Sequence, residues 1–336
     1  MNPNRRTVLG LAGAALAASL GATATRAAEV TLRLHQFLPA QANVPKNIII
    51  PWMEKVMEES GGRIEIQHFP SMQLGGKPPE LIDQLIDGVA DIVWTVNGYT
   101  PGRFPYSEVM MTNAEATSRA YWEMAEKYMI DGDFKDFHLI GAWVHGPGLI
   151  HSSDPVELPG DLNGVKLRAP TRVSNMLFSN LGATTVGMPV PAIPEALSKG
   201  VIDASVIPWE VTGALKVPEL VENHTEFGDA SLYTTTFIFG MNKQTYEALP
   251  DDLKAVIDAN SGADFSAAAG AQMQADDGPA REAALDLGNN IITLSPDQVE
   301  VWRTASASTI DQWVADMDAQ GIDGAGLLEE ARALIA

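Results

Sequence analysis

Residues 164–210 read GVKLRAPTRVSNMLFSNLGATTVGMPVPAIPEALSKGVIDASVIPWE. Short apolar runs built around Val165 and Leu167, around "ATTVG" and around "ASVI" alternate with two stretches of helical spacing, "RVSNMLFSNLG" and "PAIPEALSKG". Glycine or proline punctuates each change. Strand, helix, strand, helix, strand in this order predicts a mainly parallel sheet with helices on its faces. The first strand ends in Arg168, followed by Ala169 and Pro170. Ligands of open α/β sheets gather at strand ends, and a guanidinium mounted there suits an anion.

The same rhythm runs earlier in the chain. "EVTLRLHQF" (29–37), "RIEIQHFP" (63–70) and "DIVWTVN" (91–97) read as strands. Between them "NIIIPWMEKVMEESGG" (47–62) and "KPPELIDQLIDGVA" (77–90) read as helices, the first stopped by Gly61 and Gly62. The pattern restarts with "HLIGAWVHG" (138–146), and "SLYTTTFIFGMN" (231–242) is a long β-rich run that can cross back to the first lobe. The remainder is mostly helical. The expectation is an α/β protein of two lobes joined by crossing strands, with a ligand cleft between them and a helical C-terminal region. Residues 29–150 plus about 237–275 form lobe I, and 151–236 plus about 276–336 form lobe II.

The chain has 336 residues, 46% hydrophobic and 19% charged, with a formal net charge of −21 and no cysteine. This composition supports two separate cores. So acidic a surface argues against nucleic acid and anionic membranes as partners. Without cysteine there is no thiolate catalysis, thiolate metal site or disulfide. Residues 1–28 read as a removable secretory leader: Arg5 and Arg6, an apolar run from Val8 to Leu20, then small residues before Glu29. The adjacent arginines followed by Thr, Val and Leu suggest the twin-arginine route. The apolar run is shorter than the ~20 residues of a membrane span.

Catalytic and cofactor motifs are absent. The sequence has no G-x-x-x-x-G-K-[ST], no G-x-G-x-x-G after a strand, no H-E-x-x-H and no G-x-S-x-G. Its six histidines are scattered, with no metal-ligand spacing. Nothing nominates an activated nucleophile, so no enzyme, cofactor or metal is expected. A secreted α/β enzyme using scattered carboxylates and His145 is the rival reading.

Several segments together resemble one family. "MQLGG" (72–76), "LIDQLIDGVADIVW" (81–94), "DLNGVKLRAP" (161–170) and residues 181–210 are similar, in the same order, to the DctP-type solute-binding proteins of TRAP transporters. The resemblance covers nearly the whole chain after the leader. It implies a two-lobed periplasmic binding protein fold and a role in delivering small organic acids to a TRAP membrane permease driven by an ion gradient. The expected state is a monomer. The family arginine that pairs with the ligand carboxylate falls on Arg168, whose rigid two-pronged donor matches a carboxylate and stays charged in a closed cleft.

Two departures from the family pattern bear on the ligand. Members that bind sialic acid carry a second arginine upstream, where this chain has Gly148 in "HGPGLIHSS". Many members have an asparagine where this chain has Ile207. A drier pocket is expected, walled by Trp209, Trp94 and Phe37 at strand ends and Phe237 in the crossover run, with Asn97 and Tyr99 in the loop behind Trp94. His145 and Thr235 are candidate hydrogen-bond donors, and Met188 a candidate soft wall. Aromatic walls favour a flat apolar ligand body. The expected ligand is a small organic monocarboxylate, an aromatic acid such as a benzoate ahead of a short aliphatic keto or hydroxy acid. A periplasmic sensor could use the same pocket.

Overall fold

The computed structural model describes residues 28–109, 114–228 and 230–335. The leader read over residues 1–28 lies outside the described residues save for Ala28. Eleven strands are present among those described: β1 (Val30–His35), β2 (Ile64–Phe69), β3 (Ile92–Val96), β4 (Phe137–Val144), β5 (Leu149–Ser152), β6 (Lys166–Ala169), β7 (Thr184–Gly187), β8 (Ala204–Ile207), β9 (Asn223–Glu226), β10 (Thr236–Asn242) and β11 (Asn290–Thr293).

They form two sheets. The first has the order β2-β1-β3-β10-β4, the second β11-β9-β5-β8-β6-β7. In the first, β1 pairs in parallel with β2 and β3, while β10 runs antiparallel to both β3 and β4. Every residue of β3 and β10 is buried, as expected of strands with helices on both faces. In the second sheet β6 is parallel to β7 and β8, the three strands of the 164–210 stretch. Among the strands the chain crosses between the sheets three times, from β4 to β5, from β9 to β10 and from β10 to β11, the second crossing lying in the run 231–242.

Each sheet has its own core. Leu32, Trp94, Ile140 and Phe239 belong to the first, and Ile150, Leu167, Phe178 and Val206 to the second. The helix Pro296–Asp318 serves both: Trp302 is buried in the second core, and Trp313 and Met317 in the first. Its Ser295 cap accepts the Gln298 N–H, and Pro296 opens the helix without losing an internal bond.

The C-terminal boundary needs a correction. The helix Gly324–Ile335, read with lobe II, packs on the helix Ala114–Tyr128, and its Leu327, Leu328 and Ala331 join the first core. The reason is the reach of the preceding helix, which carries the chain back across the molecule. Three short strands are not among those expected from the sequence: β5 ("LIHS"), β9 ("NHTE") and β11 ("NIIT").

Candidate functional site

Arg168 stands one residue before the end of β6, between two parallel neighbours, and those neighbours fix its fork. Its Nε donates to the Met188 carbonyl just past β7 at 2.9 Å, and its Nη1 to the Val206 carbonyl on β8 at 3.0 Å. The side chain is only 1% exposed. Among the described residues no carboxylate lies within ion-pair distance of it. Burial pulls its pKa below the usual guanidinium value, opposed by the phenols of Tyr99 and Tyr233 nearby. A guanidinium nonetheless stays cationic in proteins. Desolvating a cation without an acid partner is costly, and an incoming anion relieves that cost.

The cation faces a cleft of about 390 Å³, counting the space open at its mouth. The first lobe contributes Phe37, Trp94, Tyr99 and Phe237, and the second Pro170, Val190, Ile207 and Glu210, with Arg168 among them. Three of the rings form a stack: Phe37 on Trp94 at 4.6 Å and 17°, and Trp94 on Phe237 at 5.2 Å and 20°. Tyr99 meets Phe37 edge-on at 5.6 Å. These walls offer a ring-shaped ligand both burial and stacking. Some polar atoms on cleft residues are buried without a hydrogen-bond partner: Trp94 Nε1, Thr235 Oγ1 and Glu210 Oε2.

The lobes meet around the cleft. The Tyr99 hydroxyl accepts the Val190 N–H at 2.9 Å, and the Asn43 amide donates to the Glu210 carbonyl at 2.7 Å. Gly98 lies so close to Thr171 that a Cβ would stand 2.4 Å from its methyl group. Gly148 explains one departure from the family pattern. A Cβ there would meet the Tyr233 ring at 2.1 Å, so this tyrosine occupies the space a longer side chain would need.

Of the sequence candidates, Arg168, Phe37, Trp94, Phe237, His145 and Thr235 come together on the cleft. His145 arrives in a different chemical form from the one expected. Burial pushes its pKa down to about 4, and its Nδ1 engages the Gly146 carbonyl. The ring is therefore neutral and offers Nε2 as an acceptor, not a donor. Asn97 turns its amide to the Tyr121 hydroxyl at 2.6 Å and does not line the cleft. Met188 contributes its backbone carbonyl to Arg168, while its half-buried side chain lies outside the cleft lining.

Trp209 requires a plain correction. It is buried behind the cleft, where its Nε1 donates to Glu226 at 2.8 Å and its ring packs on His151 and His224. Strand alternation would have kept Trp209 in phase with Ile207. The chain leaves β8 at Pro208 and winds into the helical turn Trp209–Val211, which rotates the indole away.

A larger cavity of about 1100 Å³ shares Tyr233 and Thr235 with the cleft but does not include Arg168. Its own arginine, Arg172, is already paired with Glu108 at 2.5 Å and Asp316 at 2.6 Å. By contrast Arg168 is a buried cation with no carboxylate partner among the described residues.

Two α/β lobes closing on a buried arginine and a wall of rings define the class of a cleft-binding solute receptor. The chain belongs to the DctP family, bacterial extracellular solute-binding protein family 7, whose model matches residues 37–316. It is a TRAP-type solute-binding protein. It is similar to a TRAP solute-binding protein from Rhodoferax ferrireducens, solved with copurified benzoate: 48% identity, TM-score 0.89, covering 91% of this chain and 97% of that one. A marine metagenome TRAP solute-binding protein specific for aromatic acid ligands, solved with 3-hydroxybenzoate, is 45% identical with a TM-score of 0.90 over 92% of this chain and 98% of that one. A relative in Comamonas testosteroni, described as outer membrane transporter protein TsaT, is 25% identical over 99% of this chain and 98% of its own length. Among the described residues no helix is long and apolar enough to cross a membrane.

Proposed function

We propose that this protein captures an aromatic monocarboxylate in the periplasm, pairs its carboxylate with Arg168, and hands it unchanged to a TRAP membrane permease. The observation that carries the reading is the juxtaposition of an acid-free buried guanidinium with the Phe37–Trp94–Phe237 stack on one cleft. The carboxylate supplies the missing counter-charge, and the ring fills the apolar walls. The similarity to proteins solved with benzoate and 3-hydroxybenzoate supports the same ligand class.

Calorimetry with benzoate tests it. Arg168→Ala should weaken binding by about 2 to 5 kcal/mol, the range for truncating one side of a buried charge pair. Arg168→Lys should recover only part of the loss, because the two-pronged geometry is gone. Unchanged affinity in the alanine variant would sink the assignment of Arg168. Failure of the wild type to bind any aromatic acid, with tight binding of a short aliphatic keto acid, would sink the ligand class.

A further inference from the structure

The cleft carries an ionisable group that carboxylate capture by Arg168 does not use. Glu210 follows Trp209 in the turn after β8, is 4% exposed, and lines the same cleft as Arg168 and the ring stack. Its backbone is held from both sides: its N–H donates to Asp277 at 2.8 Å, and its carbonyl accepts the Asn43 amide at 2.7 Å. Its Oε2, by contrast, is buried with no hydrogen-bond partner. A buried carboxyl left unpartnered is among the costliest polar groups a fold can hold. Among the described residues no ion pair offsets it, and the acids Asp276 and Asp277 stand nearby. Burial, with those two acids, pushes its pKa well above the ordinary carboxylate range, which favours the protonated carboxyl, with an O–H to donate and a carbonyl oxygen to accept.

We propose that Glu210 is a specificity-determining residue that hydrogen-bonds a hydroxyl carried on the ring of the bound acid, so that the protein selects hydroxylated aromatic acids over the unsubstituted ones. This rests on the aromatic-acid reading above and adds the substituent. Arg168 takes the carboxylate, the ring stack takes the ring, and the neutral carboxyl takes a polar substituent. A neutral carboxylic acid suits a hydroxyl because each can donate to and accept from the other. Trp94 Nε1 can only donate, and Thr235 is the rival for the same hydroxyl.

The experiment is calorimetry of the full-length mature protein with benzoate and the three hydroxybenzoate isomers, reading the ratio of affinities within each variant. In the wild type the best hydroxybenzoate should bind about tenfold or more tighter than benzoate, the worth of one buried hydrogen bond. Glu210→Leu should bring that ratio to within about twofold, while Glu210→Gln, which keeps a donor and an acceptor, should retain most of it. Melting curves on both variants establish that they are folded. An undiminished ratio in Glu210→Leu overturns the proposal, as does a collapse in Thr235→Val with Glu210→Leu unaffected. A wild type that binds benzoate and the hydroxybenzoates equally also overturns it, and leaves the aromatic-acid reading standing. A wild type that binds none of the four removes that reading, and this inference with it.

Discussion

The Tyr99 hydroxyl, carried by the first lobe, accepts the Val190 N–H of the second at 2.9 Å and stands beside the Arg168 guanidinium. One phenol thus ties the lobes together at the point where the charge of the site is concentrated.

Tyr99→Phe keeps the ring against Phe37 and removes only the oxygen. The Val190 N–H then loses its partner when the lobes close. Ligand affinity should fall about fivefold to tenfold, matching one hydrogen bond of roughly 1 kcal/mol. Small-angle scattering at equal ligand saturation should show whether closure is impaired. Wild-type affinity in the phenylalanine variant would mean that the bridge does not contribute to the bound state.

A second carboxylate on the ligand meets no second lysine or arginine among the described cleft residues. Ile207 is aliphatic, and the carboxyl on the cleft lining is that of Glu210, which offers a second carboxylate no counter-charge. Burying an unpaired charge costs several kcal/mol, so benzoate should bind tighter than phthalate by about 2 kcal/mol or more. A thermal-shift titration of the two acids checks this. Preference for phthalate would show a cation that the described cleft lacks.

Trp209→Ala should behave as a core truncation. The indole gives up its bond to Glu226 and its packing on His151 and His224. The expected loss is about 3 to 5 kcal/mol of stability. Aromatic and aliphatic acids should lose affinity alike. A selective loss for aromatic acids, with the melting temperature preserved, would restore Trp209 to the cleft wall.

Asp277 gives a pH dependence with a definite sign. Burial, with the neighbouring Asp276 and Glu226, pushes its pKa up to about 7 from 3.8. The folded form therefore holds a proton that the unfolded form releases. Stability from this group is full below about pH 4 and declines as pH rises toward 7. Asp277→Asn keeps an acceptor for the Glu210 N–H and removes the titration. It should melt several degrees above wild type near pH 8 and lose that advantage near pH 4. Equal melting temperatures across that range would show that Asp277 ionises normally.

The α/β rhythm of 164–210 was legible because each element there is short and regularly punctuated by glycine or proline. Arg168 was legible because its strand-end position is local information. The aim of Trp209 was not, because alternation applies only while the chain remains a strand, and the turn after Pro208 resets the phase. A similar turn, Asn97–Tyr99, exchanges the roles of its two ends, sending the amide of Asn97 to Tyr121 and the phenol of Tyr99 to the cleft. Tyr233 was not legible for the same reason: it precedes β10, which begins at Thr236, so no alternation fixes its aim. Nor was Glu210: its missing partner is a property of the packed interior, where Asp276 and Asp277 arrive from far along the chain.

The position of β10 also governs how the molecule can be made. Residues 236–242 lie between β3 and β4 in the first sheet, yet they follow all but one strand of the second in chain order. A growing polypeptide that has emerged only to β9 holds β3 and β4 with bare edges facing one another, each an open template for pairing with another copy. Closing that gap by a long-range pairing is slow by nature. The binding wall built on Phe237 therefore cannot exist before most of the chain has been synthesised, and a fragment cut before residue 236 should aggregate rather than yield a working half.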